Sequence, residues 1–262
     1  MRQKIYQIDA FTSKRFGGNP AAVCILEKWL EAELMQKIAQ ENNLAETAFA
    51  VKKDGIYELR WFTPEVEVDL CGHATIATAY VLFHYYELKE NTIRFYSPRS
   101  GELTVEKAAN GWLTLDFPTD HLVGIQNLQE LDEAIGAKPI KTFKGKTDYM
   151  LTYNTQQEVE SIKPNHHLLS QLDVRGVIVT APGNEVDFVS RFFAPACGIP
   201  EDPVTGSAHT SLTPYWSEVL QKTKMTAKQL SKRQGDLVCE YLGERVKISG
   251  KAAPYLFGEI EI

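Results

Sequence analysis

Two short stretches of the chain carry side chains able to do acid/base or hydrogen-bonding chemistry at the mouth of a helix. Arg60-Trp61-Phe62-Thr63-Pro64, an acidic spacer and Cys71-Gly72-His73-Ala74-Thr75 make the first. Arg191-Phe192-Phe193-Ala194-Pro195, a spacer and Thr205-Gly206-Ser207-Ala208-His209 make the second. The leading arginines stand 131 residues apart, half of the 262. In each copy an apolar strand is stopped by a proline, which cannot continue a central ladder, and small residues then open an apolar helix. Small side chains there leave backbone N–H groups accessible, and those groups favour a carboxylate or other anion. The expectation is two similar halves, each presenting one anion-accepting helix start.

Taken singly, the candidate residues say less. His73 alone reads more often as a packed or exposed histidine than as a catalyst, and Ser207 lies in no GxSxG elbow. Asp202-Pro203 reads as an ordinary helix start, aspartate as N-cap with proline at the first helical position; its functional alternative is an acid held rigidly at a pocket mouth. Glu46 falls between a helix and a strand, where a lone glutamate is most often exposed to solvent. Asn19 closes the turn Phe16-Gly17-Gly18-Asn19-Pro20, which reads either as a tight turn or as a backbone wall of the pocket.

The elements that must position these residues follow from periodicity. Ile5 to Phe11 alternates as a strand, and Leu30, Leu34, Ile38 and Ala39 recur at helical spacing between Glu27 and Asn43. Gly55 separates two strands as a hairpin. From Ala74 to Tyr86 the chain is apolar nearly all round, which marks a buried helix lying inside a curved sheet. The second half mirrors this order, with a hairpin at Pro182-Gly183-Asn184 and a second buried helix after Pro203, kinked or restarted at Pro214. A join near 118/119 divides the chain into domains 1–118 and 119–262, with the last strand free to return to the first domain.

Composition narrows the function class. A net charge of −6 argues against nonspecific nucleic-acid binding, which needs a basic surface. No apolar run is long enough to span a bilayer and the N-terminus lacks a signal-peptide core, so a cytoplasmic location without a membrane partner is expected. Cys24, Cys71, Cys197 and Cys239 show no CxxC spacing and read as free thiols. No HExxH occurs, and no metal is expected.

Taken together, Asp9-Ala10-Phe11, Phe16-Gly17-Gly18-Asn19-Pro20-Ala21-Ala22-Val23, Asn43-Leu44-Ala45-Glu46-Thr47, Arg60-Trp61-Phe62-Thr63-Pro64, Asp69-Leu70-Cys71-Gly72-His73-Ala74-Thr75 and Glu201-Asp202-Pro203-Val204-Thr205-Gly206-Ser207-Ala208-His209 resemble the phenazine-biosynthesis PhzF-like isomerases. The likeness runs from end to end and includes Ser100-Gly101 and Gln229-Leu230-Ser231. It implies an α/β (α+β) fold of two pseudo-symmetric diaminopimelate-epimerase-like domains, each a curved, mostly antiparallel sheet wrapped around a central helix, with the active site between them. It implies that Glu46 moves a proton between carbons of a small carboxylated substrate, that His73 and Asp202 join it as catalytic residues, and that Asn19, Gly72, His73, Gly206 and Ser207 hold the substrate. No cofactor is implied, and a homodimer is. Isomerisation of 2,3-dihydro-3-hydroxyanthranilate is the family's namesake reaction.

Two other readings compete. Racemases and epimerases of the same fold place one thiol on each side of a carbon; Cys71 stands where one would be, but the second half has Val204 or Thr205 at the matching place. Cys71 therefore reads as a small buried hydrophobe. The second alternative is a non-catalytic small-molecule-binding dimer.

Overall fold

The computed structural model of the chain describes residues 1–86 and 88–262. In chain order the first unit holds β1 (Arg2–Ala10), β2 (Asn19–Leu26), α1 (Ala32–Asn42), β3 (Glu46–Lys53), β4 (Ile56–Phe62), β5 (Glu67–Val68), α2 (Gly72–Tyr85), β6 (Thr92–Ser97), β7 (Gly101–Lys107) and β8 (Leu113–Pro118). The second holds β9 (Val123–Ile125), α3 (Gln129–Ile135), β10 (Lys141–Lys144), β11 (Asp148–Thr152), α4 (Gln156–Ser161), α5 (His166–Leu169), β12 (Gly176–Pro182), β13 (Phe188–Phe193), α6 (Ala208–Leu220), β14 (Lys224–Gln229), β15 (Gly235–Tyr241) and β16 (Arg245–Gly250). The final strand, β17 (Ala252–Glu261), pairs antiparallel along the whole of β1. The compact units are accordingly Met1–Asp116 with Ser249–Ile262, and Phe117–Ile248; the last strand completes the first unit's sheet.

Within the first unit β1–β2 is antiparallel, β2–β3 parallel, β3–β4 antiparallel, β4–β6 parallel and β6–β7 antiparallel. Within the second the same series runs through β10–β11, β11–β12, β12–β13, β13–β14 and β14–β15. The internal repeat is therefore a repeat of topology, with α2 and α6 occupying the same place in each series. Each unit is a curved, mixed sheet around one central helix.

Strand period explains the layering. Ala22, Cys24, Leu26, Phe49 and Val51 pack with Met35, Ile38 and Ala39 of α1, and the intervening Ala21, Val23, Ala48 and Ala50 are also buried and point to the opposite face, where α2 packs against β1, β2 and β3. A helix inside such a sheet has no solvent face, and α2 buries every residue from Gly72 to Phe83 except Tyr80. In the second unit α3, α4 and α5 cover the sheet through Leu131, Ala134, Ile135, Val159 and Leu169. Central α6 is anchored by Trp216, whose Nε1 donates to Thr180 Oγ1 at 2.9 Å and whose ring stacks on Phe188 at 5.7 Å. Pro214 sits within α6; the helix continues past it.

Two boundaries differ from the sequence reading. Helix α1 starts at Ala32, not near Glu27, and ends as expected at Asn43, which takes the left-handed conformation. Helix α6 starts at Ala208, so Asp202-Pro203 is not its N-terminus.

Candidate functional site

In the first unit the order of elements converges on His73. Cys71 has extended backbone and no side-chain capping bond, so α2 begins at Gly72 and projects His73 from its first turn. Glu46 is the first residue of β3, beside Ala21 of the parallel neighbour β2. Asn19 opens β2 opposite Ala10. These strand ends bring Glu46 Oε2 to 3.1 Å from His73 Nε2, and Asn19 Nδ2 to 3.2 Å from His73 Nδ1. The glutamate–histidine contact is an ion pair by distance, without the alignment of a hydrogen bond. Glu46 is 9% exposed and His73 4%, so Glu46 is not the solvent-exposed glutamate that its sequence position alone suggests.

The environment of His73 decides its charge. Burial opposes ionisation, but Cys71 and Glu46 outweigh it and hold the imidazole well above its ordinary value. Cys71 Sγ lies 3.5 Å from His73 Nδ1, and burial, aided by Glu46, pushes the thiol up to about 11. A thiol so placed is protonated at neutral pH. Asn19 can present either its oxygen or its nitrogen to Nδ1, and so suits either protonation state of the imidazole.

Glu46, Cys71 and His73 bring ligand-type atoms within 4.8 Å of one another. Cys71 and Asn19, however, address Nδ1 while Glu46 addresses Nε2. One ion cannot take a lone pair from the imidazole and sit at both of its edges, so this geometry suits a proton path better than a metal centre.

In the second unit the loop that precedes α6 is tied down from below. Asp202 N donates to Phe192 O at 3.0 Å, and Thr205 Oγ1 donates to Asp202 Oδ2 at 2.5 Å. Gln229, fully buried at the end of β14, donates to Asp202 O at 2.8 Å and accepts from Thr205 N at 2.9 Å. Ser231 Oγ donates to Pro203 O at 2.8 Å. These bonds hold residues 202–205 as a fixed non-helical loop, which is why the aspartate caps its own loop and not the helix. Ser207 then becomes the N-cap of α6, without a side-chain capping bond; its Oγ accepts from Arg175 Nη1 at 3.0 Å.

The two helix starts share further local devices. Thr75 Oγ1 donates back to Cys71 O at 2.6 Å, and His209 Nδ1 bonds Thr205 O at 2.8 Å, four residues back in each case. Burial pushes His209 down to about 4, so it is a neutral structural ring. The repeat's arginines are clamps: Arg60 pairs with Glu67 at 2.7 Å over Phe62, and Arg191 with Glu201 at 2.7 Å over Phe193.

The structure thus gathers Glu46, His73 and Asn19 around Gly72 in one unit, and Asp202, Gly206 and Ser207 in one loop of the other. Sequence reasoning missed Arg175 and its partner Asp148, and gave Gln229 no role. The one local feature that marks Arg175 is its position directly before β12.

Helix-centred, internally repeated sheets define an epimerase-type fold, and a buried glutamate–histidine pair stands at one helix start. A hydroxyproline epimerase from Agrobacterium vitis has this fold, with TM-score 0.65 at 7% identity over 99% of this chain and 92% of that one. The sequence profile of the phenazine biosynthesis-like protein family (PhzC-PhzF) matches residues 8–258, and the chain belongs to that family. An uncharacterized isomerase of Pseudomonas aeruginosa is 48% identical over the full length of both chains. The crystal structure of a PhzF-family phenazine biosynthesis protein of Enterococcus faecalis superposes with TM-score 0.96 at 48% identity, again over all of both chains. Family and fold together support an isomerase- or epimerase-type activity. No helix among the described residues is long and apolar enough to cross a membrane.

Proposed function

We propose that the protein is a cofactor-independent isomerase that moves a proton between carbons of a small carboxylated substrate through Glu46. The observation that carries this reading is the buried contact between Glu46 Oε2 and His73 Nε2 at 3.1 Å. A general base must reach the proton it takes, and a positioned side chain contributes about 10²–10⁴-fold to such a step. Glu46 takes the proton from one carbon and returns it to another, while His73, steadied at Nδ1 by Asn19, supplies positive charge where enolate-like charge develops. Gly72, Gly206 and Ser207 contribute contacts to the substrate, and Asp202 a fixed acid. A homodimer in the cytoplasm belongs to the same proposal.

The thiol alternative has one observation in its favour, the 3.5 Å approach of Cys71 Sγ to His73. Against it stand the burial that pushes the thiol up to about 11 and the matching residue of the second repeat, Thr205, whose hydroxyl is spent on Asp202. Deuterium uptake from heavy water, followed by NMR on 2,3-dihydro-3-hydroxyanthranilate, proline and trans-4-hydroxyproline, separates the readings. Exchange at a single carbon should vanish in Glu46→Gln and persist in Cys71→Ala. Exchange that survives in Glu46→Gln and disappears in Cys71→Ala assigns the chemistry to the thiol. A folded wild type that exchanges none of these and yet binds them leaves a binding protein.

A further inference from the structure

The Ser207 hydroxyl is held by a side chain that neither sequence motif contains. Arg175 stands one residue before β12, and Asp148 opens the parallel neighbour β11, where it registers with Gly176. Arg175 Nε donates to Asp148 Oδ1 at 2.8 Å, and Nη2 donates to Oδ2 of the same carboxylate. The face of the guanidinium lies over the Phe192 ring, 5.3 Å from its centroid. Asp148 itself is buried, with its side chain 3% exposed. The fork is fixed on one edge by Asp148 and on one face by Phe192, and the remaining Nη1 points at Ser207 Oγ, 3.0 Å away.

A serine hydroxyl has one proton to give and lone pairs to receive. A serine at an N-cap ordinarily spends a lone pair on an N–H of its own helix, but Ser207 adopts right-handed helical angles and makes no such bond. Its lone pair goes to a cationic donor instead. Accepting from a charged group polarises the hydroxyl, and it leaves the O–H proton to be donated elsewhere. Because Asp148 balances the guanidinium charge, Arg175 acts on Ser207 as an oriented donor and not as a free positive charge. We infer that Arg175, braced by Asp148, is a positioning residue that makes Ser207 a dedicated hydrogen-bond donor to the carboxylate of the substrate. This rests on the reading of Ser207 as a substrate-binding residue in an isomerase of carboxylated compounds.

The test uses acetate as the minimal carboxylate and reads its affinity from the backbone amide shifts of Gly206, Ser207 and Ala208 in the full-length protein. Four proteins are compared: wild type, Ser207→Ala, Arg175→Lys and the double variant. Lysine keeps a cation to pair with Asp148, so the fold survives, but it has no fork to reach Ser207 at the same time. Each single change should weaken acetate about tenfold, as expected for one charge-assisted hydrogen bond. The double variant should also lose about tenfold, since both changes remove the same bond. Losses that multiply to about 100-fold would show that Arg175 does not act through Ser207. Wild-type affinity in Arg175→Lys, or a wild type whose amides do not respond to acetate, would equally overturn the assignment. Deuterium exchange through Glu46 is scored separately: its absence alongside the expected acetate cycle defeats the isomerase reading and leaves the role of Arg175 standing.

Discussion

Replacing Gly18 by alanine tests whether the turn that delivers Asn19 to His73 is held by backbone geometry. Gly18 has φ +62°, and a Cβ added there would lie 2.0 Å from the Ala10 carbonyl oxygen and 2.8 Å from Thr12 Cγ2. Gly55, at the tip of the β3–β4 hairpin, has φ +84° and no atom within 4 Å of its added Cβ. Both substitutions carry the left-handed penalty of about 1–2 kcal/mol, partly offset by roughly 0.4–1 kcal/mol of unfolded-chain entropy. Gly55→Ala should therefore cost about 1 kcal/mol. Gly18→Ala must in addition push back a carbonyl oxygen of β1 at its last rung with β2, beside the fully buried Phe11; overpacking of that kind adds about 1–3 kcal/mol. At about 2–4 °C per kcal/mol for a chain of this size, the Gly18 variant should melt roughly 4–16 °C below wild type, and the Gly55 variant about 2–4 °C below. Thermal melts of the two variants, with the His73 ring resonances followed by NMR, form the assay. His73 should shift in the Gly18 variant alone. Two variants that melt within about 2 °C of each other, with His73 unmoved in both, would refute the claim that contact at Gly18 fixes Asn19.

Other consequences can be checked on the same protein. The imidazole of His73 is held above its ordinary value, so its contribution to stability is complete below the unfolded value of about 6.5 and is lost as pH rises through the folded value. Glu46→Gln removes the facing carboxylate and should move the NMR titration of His73 downward; an unmoved titration would put the charge elsewhere. Gln229→Ala strips partners from Asp202 O and Thr205 N and should cost about 2–6 kcal/mol in urea denaturation, since each buried orphan costs about 1–3 kcal/mol; a loss under about 0.5 kcal/mol would mean the loop holds itself. Thr180→Val leaves the buried Trp216 N–H without its acceptor and should cost about 1–3 kcal/mol, measured in the same way.

Much of this architecture was legible from sequence because periodicity and punctuation report local structure. Alternation gave the strands, the all-apolar run from Ala74 gave the buried helix, and the Arg-aromatic-Pro repeat gave the duplication of topology. The boundaries that slipped are those set by distant partners. Asp202-Pro203 has every local feature of a helix start, yet Gln229 and Ser231 seize the backbone of residues 202–205 and delay the helix to Ala208. The same limit applies to the site. Glu46 carries no local cue to burial; its environment comes from β2 and α2. Arg175 and Asp148 lie 27 residues apart and meet only because β11 and β12 run parallel and in register.

The duplication also separates what the scaffold needs from what the chemistry needs. Features present in both units are the parts that shape a helix start: an arginine clamp over an aromatic ring, a proline stop, a small residue at the turn, and a side chain that bonds back four residues to steady the first carbonyl. Among the positions that differ are those at the helix starts themselves. Aligned on Gly72 and Gly206, His73 corresponds to Ser207 and Cys71 to Thr205, and the supporting partners have changed with them: Glu46 and Asn19 attend the histidine, while Arg175 and Asp148 attend the serine. A titratable ring set against a carboxylate suits the handling of a proton, and a hydroxyl set against a guanidinium suits the gripping of an anion. If the halves had diverged only by drift, the partner of each changed residue would have no reason to complement it in hydrogen bonding. Under the proposed function the histidine with its carboxylate handles the proton and the serine with its guanidinium holds the substrate carboxylate, so each changed residue has a partner suited to its task.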